Sequence, residues 1–203
     1  MSIFIFTFFI TAFPIVIDPG HGGADCGICL QNFSEKEITL KLANLLRDEL
    51  IEFEVYLTRE GDYSVSQDER AGYANGKGGL FISLHINSSF SNFLSGTVIY
   101  IPSVSPQNCE SIPLISWEMA NACAIEETEK LALSVKNEMS GFRNVIIERT
   151  NLFVLMGLKV PGILVEVGFY EEKGTILSEI FMRDFIKNLG YGIKRYINER
   201  EKK

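Results

Sequence analysis

Residues 14–23, which read Pro-Ile-Val-Ile-Asp-Pro-Gly-His-Gly-Gly, constrain the fold of this chain more than any other stretch. The apolar β-branched run at 15–17 predicts a short, buried strand. The Asp-Pro-Gly sequence at 18–20 predicts the end of that strand, because proline lacks the amide that a strand ladder needs and glycine permits a turn. His21 therefore follows the carboxyl end of a strand, and open α/β sheets bind their ligands at that edge.

The rest of the chain alternates between strand patterns and helix patterns. At the start of the first helix, Ser34 and Glu37 have the spacing of a capping box, with Ser34 as the N-cap. The alternation predicts an α/β fold in which helices cover both faces of a single sheet, with the carboxyl ends of its parallel strands along one edge. Further strands are predicted over 53–58, 80–84, 96–101 and 163–167, and helices over 34–51, 67–75, 114–139 and 183–199.

Length and composition indicate one domain. With 203 residues, of which 46% are hydrophobic, the chain can bury one core but is short for two. We therefore expect a single domain over 13–203. The formal net charge of −7 argues against a nucleic-acid partner, because phosphate binding requires a basic face.

Residues 1–12 are almost entirely apolar. One interpretation is a signal peptide with its apolar region at 3–10 and cleavage after Ala12, which predicts export to the periplasm or cell envelope. The lack of Lys or Arg at its start and the presence of Ile10 near the cleavage point argue against it. The alternative is a buried extension of the first strand. A transmembrane helix is disfavoured, because it needs about 20 apolar residues.

The four cysteines are Cys26, Cys29, Cys109 and Cys123. An even number allows disulfides if the protein is exported. Since no second C-x-x-C pair follows Cys26 and Cys29, a four-cysteine zinc site is disfavoured. We interpret the cysteines as unpaired, with a Cys26–Cys29 disulfide as the less favoured alternative.

The only two histidines, His21 and His85, each lie at the end of a predicted buried strand. A single histidine in such a place is more often structural, but two in equivalent positions favour a metal site. Hydrolytic zinc sites use three N or O ligands and leave one position open. Glu35 is the candidate carboxylate. Its position in the first turn of a helix is equally compatible with a role at the helix dipole.

Glu166 lies within an otherwise apolar predicted strand. A carboxylate there needs a partner or a function, because burying an unpaired charge is costly. One interpretation is a salt bridge with Arg59 or Arg70. The other is a general base whose pKa is tuned by partial burial and a nearby cation, which its position close to Gly168 at the end of the strand favours.

Six motifs occur in order along the chain: Ile-Asp-Pro-Gly-His-Gly-Gly (17–23), Glu-Lys-Glu-Ile-Thr-Leu (35–40), Leu-Thr-Arg (57–59), Arg-Ala-Gly-Tyr-Ala-Asn (70–75), Phe-Ile-Ser-Leu-His-Ile-Asn (81–87) and Leu-Val-Glu-Val-Gly-Phe (164–169). Together they resemble the zinc-dependent N-acetylmuramoyl-L-alanine amidases of the amidase-3 family. The resemblance covers about residues 14–196.

The resemblance implies that His21, Glu35 and His85 bind Zn²⁺ and that Glu166 is the catalytic acid and base. It also implies a mixed-sheet α/β fold and cleavage of the amide between the lactyl group of muramic acid and L-alanine in peptidoglycan. Asn87 and Arg70 are candidates for substrate binding, with a supporting structural role as the alternative.

The chain departs from the family pattern at two positions. Cys26 stands where proline is usual, which affects the stiffness of the loop after His21. Met156 replaces a common arginine. This departure concerns the binding of substrate near Glu166 and not the metal site. Some relatives carry an extra helix that covers the zinc. For 102–128 we expect an ordinary amphipathic helix with a core Trp117 in place of such a lid.

Two other functions compete with the amidase interpretation. One is a zinc peptidase that cleaves another amide of the stem peptide. The other is a non-catalytic peptidoglycan-binding relative, which the presence of all four key residues disfavours. No wall-binding repeat is visible, so we expect the domain itself or a partner, such as an activator protein, to direct a monomer to the wall.

Overall fold

The computed structural model describes residues 11–31, 33–87, 96–106, 116–169 and 178–202. Its strands are β1 (Thr11–Pro19), β2 (Cys29–Leu30), β3 (Phe33–Ser34), β4 (Phe53–Leu57), β5 (Leu80–Asn87), β6 (Thr97–Ile101), β7 (Val145–Arg149) and β8 (Gly162–Phe169). Its helices are α1 (Glu35–Glu49), α2 (Gln67–Lys77), α3 (Ile125–Met139), α4 (Phe153–Met156) and α5 (Glu179–Arg200), with a 3₁₀ helix over Trp117–Cys123.

Six strands form one sheet in the order β4-β1-β5-β8-β6-β7. Strands β4, β1, β5 and β8 are parallel, β6 is antiparallel to β8, and β7 is parallel to β6. The predicted mixed, mostly parallel α/β sheet is confirmed. The carboxyl ends of β1, β5 and β8 therefore meet at one edge, which the first residues of β6 also reach.

Two apolar clusters cover the two faces of the sheet. Ile15 and Ile17 face the larger cluster, which includes buried side chains of α1, α3 and α5. Val16 faces the smaller cluster, which includes side chains of α2 and α4. Because successive strand side chains point to opposite faces, a strand covered on both sides must be continuously apolar. This explains why 15–17 reads as an unbroken β-branched run.

Ser34 is the N-cap of α1, as predicted, but the predicted capping box with Glu37 is wrong. Ser34 belongs to β3 and pairs with Cys29 of β2, and its side chain makes no cap hydrogen bond. The first amides of α1 are instead satisfied by loop carbonyls, since Glu35 N–H donates to Ile28 O (2.9 Å) and Lys36 N–H to Cys26 O (3.3 Å). A capping box does occur at the start of α2, where Ser66 and Glu69 cap each other.

The interpretation of the cysteines as unpaired is also wrong. Cys26 and Cys29 form a disulfide, with their Cα atoms 6.0 Å apart. Gly27 between them has a φ of 63°, which turns the chain back on itself and brings the two side chains together. Cys123 is disulfide-bonded as well. Cys109 lies outside the described residues.

The structure differs from the predicted strands in two further ways, in one additional strand and in the length of another. Strand β7 was not predicted, because its five residues include Glu148 and Arg149, which are exposed at the edge of the sheet. Strand β5 continues to Asn87, so His85 lies inside the strand and not after it.

None of the helices in the described part of the chain is long and apolar enough to cross a membrane. Strand β1 begins at Thr11, and residues 1–10 lie outside the described residues. The signal peptide, the apolar extension and the domain boundary at residue 13 therefore remain predictions.

Candidate metal centre

Three polar side chains from separate elements meet at the sheet edge. His21 follows β1, Glu35 opens α1, and His85 lies near the end of β5. His21 Nε2 is 3.0 Å and His85 Nδ1 is 3.2 Å from the same Glu35 oxygen, Oε1. The three potential ligand atoms lie within 4.8 Å of one another. This spacing allows all three to reach one metal ion.

The loop after β1 fixes the ring of His21. Among the described residues, His21 is the one non-glycine residue with a positive φ, 63°. Its Nδ1 contacts Asp25 Oδ2 at 2.9 Å, which turns Nε2 toward Glu35. A second partner on the far ring nitrogen is the usual way to orient a metal-binding histidine. Burial lowers the pKa of His21, but the hydrogen bonds with Glu35 and Asp25 outweigh it, and the net shift is upward.

Glu35 is held as a carboxylate. Its side chain is buried, and its two oxygens each accept a backbone hydrogen bond, Oε1 from Ile86 N–H and Oε2 from Ile28 N–H, both at 2.9 Å. Burial alone would raise the pKa of Glu35. The hydrogen bonds from His21, His85 and the two amides outweigh burial and hold the pKa far below its ordinary value. A charged oxygen therefore points between the two imidazoles.

A buried ion pair lies beneath the His21 loop. Asp18 accepts hydrogen bonds from Arg70 Nη1 (2.5 Å), Ser83 Oγ (2.7 Å) and Thr58 Oγ1 (2.5 Å). Arg70 also donates to the carbonyls of Pro19 (2.9 Å) and His21 (2.8 Å). Arg70 is only 3% exposed, and these hydrogen bonds support the His21 loop, which fits the structural role considered for this residue.

The salt bridge considered for Glu166 is not formed. Arg70 is paired with Asp18, and the buried Arg59 donates to the carbonyls of Pro19 (3.0 Å) and Gly20 (2.8 Å). Glu166 lies opposite His85 in the β5–β8 register and accepts hydrogen bonds at Oε2 from Asn87 Nδ2 and from the Tyr100 hydroxyl. Asn87 thus contacts the candidate base directly.

Glu166 opens on a cavity of about 470 Å³ that His85, Tyr100, Leu152 and Phe153 also line. Burial raises the pKa of Glu166 above its ordinary value, and the nearby His85 and the Tyr100 hydrogen bond offset only part of this shift. A carboxyl group with a raised pKa, next to the candidate metal site and lining a cavity, suits proton transfer to and from a bound molecule.

Sequence reasoning missed Tyr100. Nothing in the spacing of β6 marks this residue, since alternate aromatic side chains are common in strands. Its proximity to Glu166 depends on β6 lying antiparallel beside β8, which no local pattern encodes.

The described part of 102–128 packs against the body of the protein. Trp117 is partly buried, and its ring centroid lies 6.2 Å from that of Phe153 on α4. The described part of this segment contains the 3₁₀ helix over Trp117–Cys123 and the start of α3, in place of one continuous amphipathic helix. Residues 107–115 lie outside the described residues, so the absence of a lid remains a prediction. Met156, the second departure from the family pattern, is partly buried at the end of α4.

Known proteins are similar to this chain over most of its length. A family model described as N-acetylmuramoyl-L-alanine amidase matches residues 15–195. The N-acetylmuramoyl-L-alanine amidase AmiC of Neisseria meningitidis serogroup B is 24% identical over 91% of this chain and 52% of AmiC. The probable cell wall amidase LytH of Staphylococcus saprophyticus is 30% identical over 91% of this chain and 58% of LytH.

A solved structure is also similar. The catalytic domain of CwlV, an N-acetylmuramoyl-L-alanine amidase from Bacillus (Paenibacillus) polymyxa var. colistinus, has a TM-score of 0.70 and 26% identity, covering 92% of this chain and 98% of that domain. The chain spans about half the length of the curated relatives it matches.

Proposed function

Since the chain belongs to the amidase-3 family of N-acetylmuramoyl-L-alanine amidases, we propose that it hydrolyses the amide between the lactyl group of muramic acid and L-alanine of the stem peptide in peptidoglycan. One observation carries this proposal. The ligand atoms of His21, Glu35 and His85 lie within 4.8 Å of one another, and Glu166 lies opposite His85 in the strand pairing and lines the same cavity as His85.

We propose Zn²⁺ as the metal. Two imidazoles and one carboxylate form the donor set of many catalytic zinc sites, and zinc–ligand bonds of about 2.1 Å place neighbouring ligand atoms about 3.4 Å apart in a tetrahedral site. The 3.0 and 3.2 Å separations between Glu35 Oε1 and the two imidazole nitrogens are close to this spacing. The ligand atoms as a set lie within 4.8 Å of one another, so the two imidazoles would move closer together on binding one ion. When bound, Zn²⁺ would lower the pKa of a coordinated water and polarise the scissile carbonyl.

Glu166 would then move the protons of the reaction. Its carboxylate accepts a proton from the attacking water, while the substrate carbonyl lies in the cavity beside it. It returns the proton to the nitrogen of L-alanine as the amide bond breaks, because an amine leaves only when protonated. Partial burial of Glu166 supports both roles, since a raised pKa brings the acid and base forms closer in free energy.

The test is product analysis from purified sacculi. We expect the protein to release stem peptides with a free L-alanine amino terminus, identified by mass spectrometry, and to leave intact glycan strands. A chelator should abolish release, and added Zn²⁺ should restore it. Cleavage at another bond of the stem peptide would favour the peptidase alternative. Binding to sacculi without any cleavage would favour a non-catalytic wall protein.

We also infer that the protein acts outside the cytoplasmic membrane, in the periplasm or cell envelope, because its proposed substrate lies there. The export signal at 1–12, an activator protein and a monomeric state remain predictions.

Close packing around the metal ligands yields a further prediction. A Cβ atom on Gly20 would lie 2.5 Å from Nε2 and 2.7 Å from Nδ1 of His85. Gly20→Ala should therefore displace the His85 ring and lower zinc affinity about 10- to 100-fold, the loss typical when the support of a metal ligand is removed. Competition with a chromogenic chelator would measure this affinity.

Gly72→Ala is the matched control for Gly20→Ala. Gly72 lies in α2 with nothing within 4 Å of its added Cβ, so alanine there should leave zinc affinity unchanged. Wild-type affinity in Gly20→Ala would mean that His85 does not need its present position to bind the metal.

A further inference from the structure

Tyr100 occupies a defined place beside Glu166. In the β6–β8 pairing, Val98 lies opposite Glu166 and Tyr100 lies opposite Leu164. Tyr100 and Glu166 are therefore diagonal neighbours on one face of the sheet, a distance that an aromatic side chain spans. The Tyr100 hydroxyl lies 3.3 Å from Glu166 Oε2, and both side chains line the same cavity.

The two donors at Glu166 act on the same oxygen. Asn87 Nδ2 and the Tyr100 hydroxyl both donate to Oε2. Within the described part of the chain, Oε1 of Glu166 accepts no hydrogen bond. Among the described residues, the carboxylate is thus held at one oxygen and has no hydrogen-bond donor at the other.

Tyr100 is suited to act as a donor at neutral pH. Burial, followed by the charge of Glu166, raises the pKa of Tyr100 to about 12. The phenol therefore remains protonated, and its proton points to a carboxylate that can only accept. A hydrogen bond to a charged oxygen is stronger than one between neutral groups.

We propose that Tyr100 is a positioning residue for the catalytic carboxylate: with Asn87 it holds Glu166 Oε2, so that Oε1 accepts the proton of the attacking water and returns it to the departing nitrogen. This inference rests on the proposed amidase function. Tyr100 itself exchanges no proton. Its effect is to fix the rotation of the Glu166 carboxylate in the cavity.

Tyr100→Phe tests this role, because it removes the hydroxyl and keeps the ring that lines the cavity. We expect kcat on muropeptide substrates to fall about tenfold, the effect of losing one hydrogen bond to a charged group, with KM and zinc content unchanged. The matched control is Tyr56→Phe. Tyr56 also donates to a carboxylate, Glu54 Oε1 at 2.6 Å, but it lies on β4, the edge strand at the other end of the strand order from β6 and β7. Its kcat should equal that of the wild type.

Crystal structures of the zinc-loaded wild type and Tyr100→Phe give a readout that needs no activity. The Glu166 carboxylate should have one orientation in the wild type and a rotated or divided one in the variant. If the wild type fails to release muropeptides, the proposed function fails, and these orientations alone decide the role of Tyr100. An unchanged kcat in Tyr100→Phe, an equal loss in Tyr56→Phe, or a wild-type Glu166 orientation in the variant would overturn the proposal.

Discussion

Replacement of Glu166 by glutamine is expected to lower kcat for muropeptide release about a thousandfold, within the range of about 10² to 10⁴ that general acid–base catalysis contributes. Glutamine has nearly the same shape and can still accept hydrogen bonds from Asn87 and Tyr100 at its amide oxygen. It cannot take up a proton from water and return it to the leaving amine. Chromatography of released peptides measures kcat, and elemental analysis of the same sample measures bound zinc.

Zinc content separates this effect from loss of the metal. His21, Glu35 and His85 are unaltered in Glu166→Gln, so one zinc per chain should remain. Glu148→Gln is a suitable control. Glu148 is an exposed carboxylate on β7 that lies opposite Tyr100 in the β6–β7 register, and it does not line the cavity. It should turn over like the wild type. Near wild-type kcat in Glu166→Gln would exclude this carboxylate from the mechanism.

The sheet edge could be predicted from sequence because its determinants are local. The strand before His21 and the strand that contains His85 are both short apolar runs, and parallel strands bring their carboxyl ends to one edge whatever their order. The buried strands at 15–17 and 80–84 and the positions of His21 and His85 follow from these two facts. Glu166 stood out for a similar reason, as the one charged residue in an apolar strand.

The position of Glu35 could not be decided from spacing, because it depends on a loop that returns to the site. The Ile28 amide binds one oxygen of Glu35, and the Ile86 amide on a distant strand binds the other. The same loop supplies the carbonyls that cap α1, which is why the capping box predicted at Ser34 is absent. A pattern read along the chain does not report such contacts.

Arg59 and Arg70 illustrate a second feature that the sequence could not predict, namely which buried charges pair with each other. Sequence suggested them as partners for Glu166, since a strand carboxylate needs a cation nearby. The structure contains another carboxylate, the buried Asp18 on β1, two strands from Glu166 in the sheet, and Arg70 pairs with it. Periodicity identifies which residues are buried, whereas strand order decides which buried charges meet.

The Asp18–Arg70 pair leads to the second large expected effect. The side chains of Asp18 and Arg70 are only 1% and 4% exposed. Asp18→Asn keeps the size of the side chain but leaves the Arg70 guanidinium without its counter-ion in the protein interior. Removing one partner of a buried ion pair typically destabilises a protein by about 3 to 5 kcal/mol. We expect the free energy of unfolding of the metal-free protein to fall by about 3 kcal/mol, as measured by urea denaturation.

Metal-free protein is required for this measurement, because zinc bound to the folded state would add its own stabilisation. Glu138→Gln provides the comparison, since it breaks the solvent-exposed ion pair between Arg195 Nη1 and Glu138 Oε1 at 2.7 Å. Exposed pairs contribute little, so that variant should unfold at the wild-type urea concentration. Arg70 also donates to the carbonyl of His21. Asp18→Asn should therefore weaken zinc binding as well. Equal stability of the two variants would show that the buried pair stabilises the fold no more than an exposed pair does.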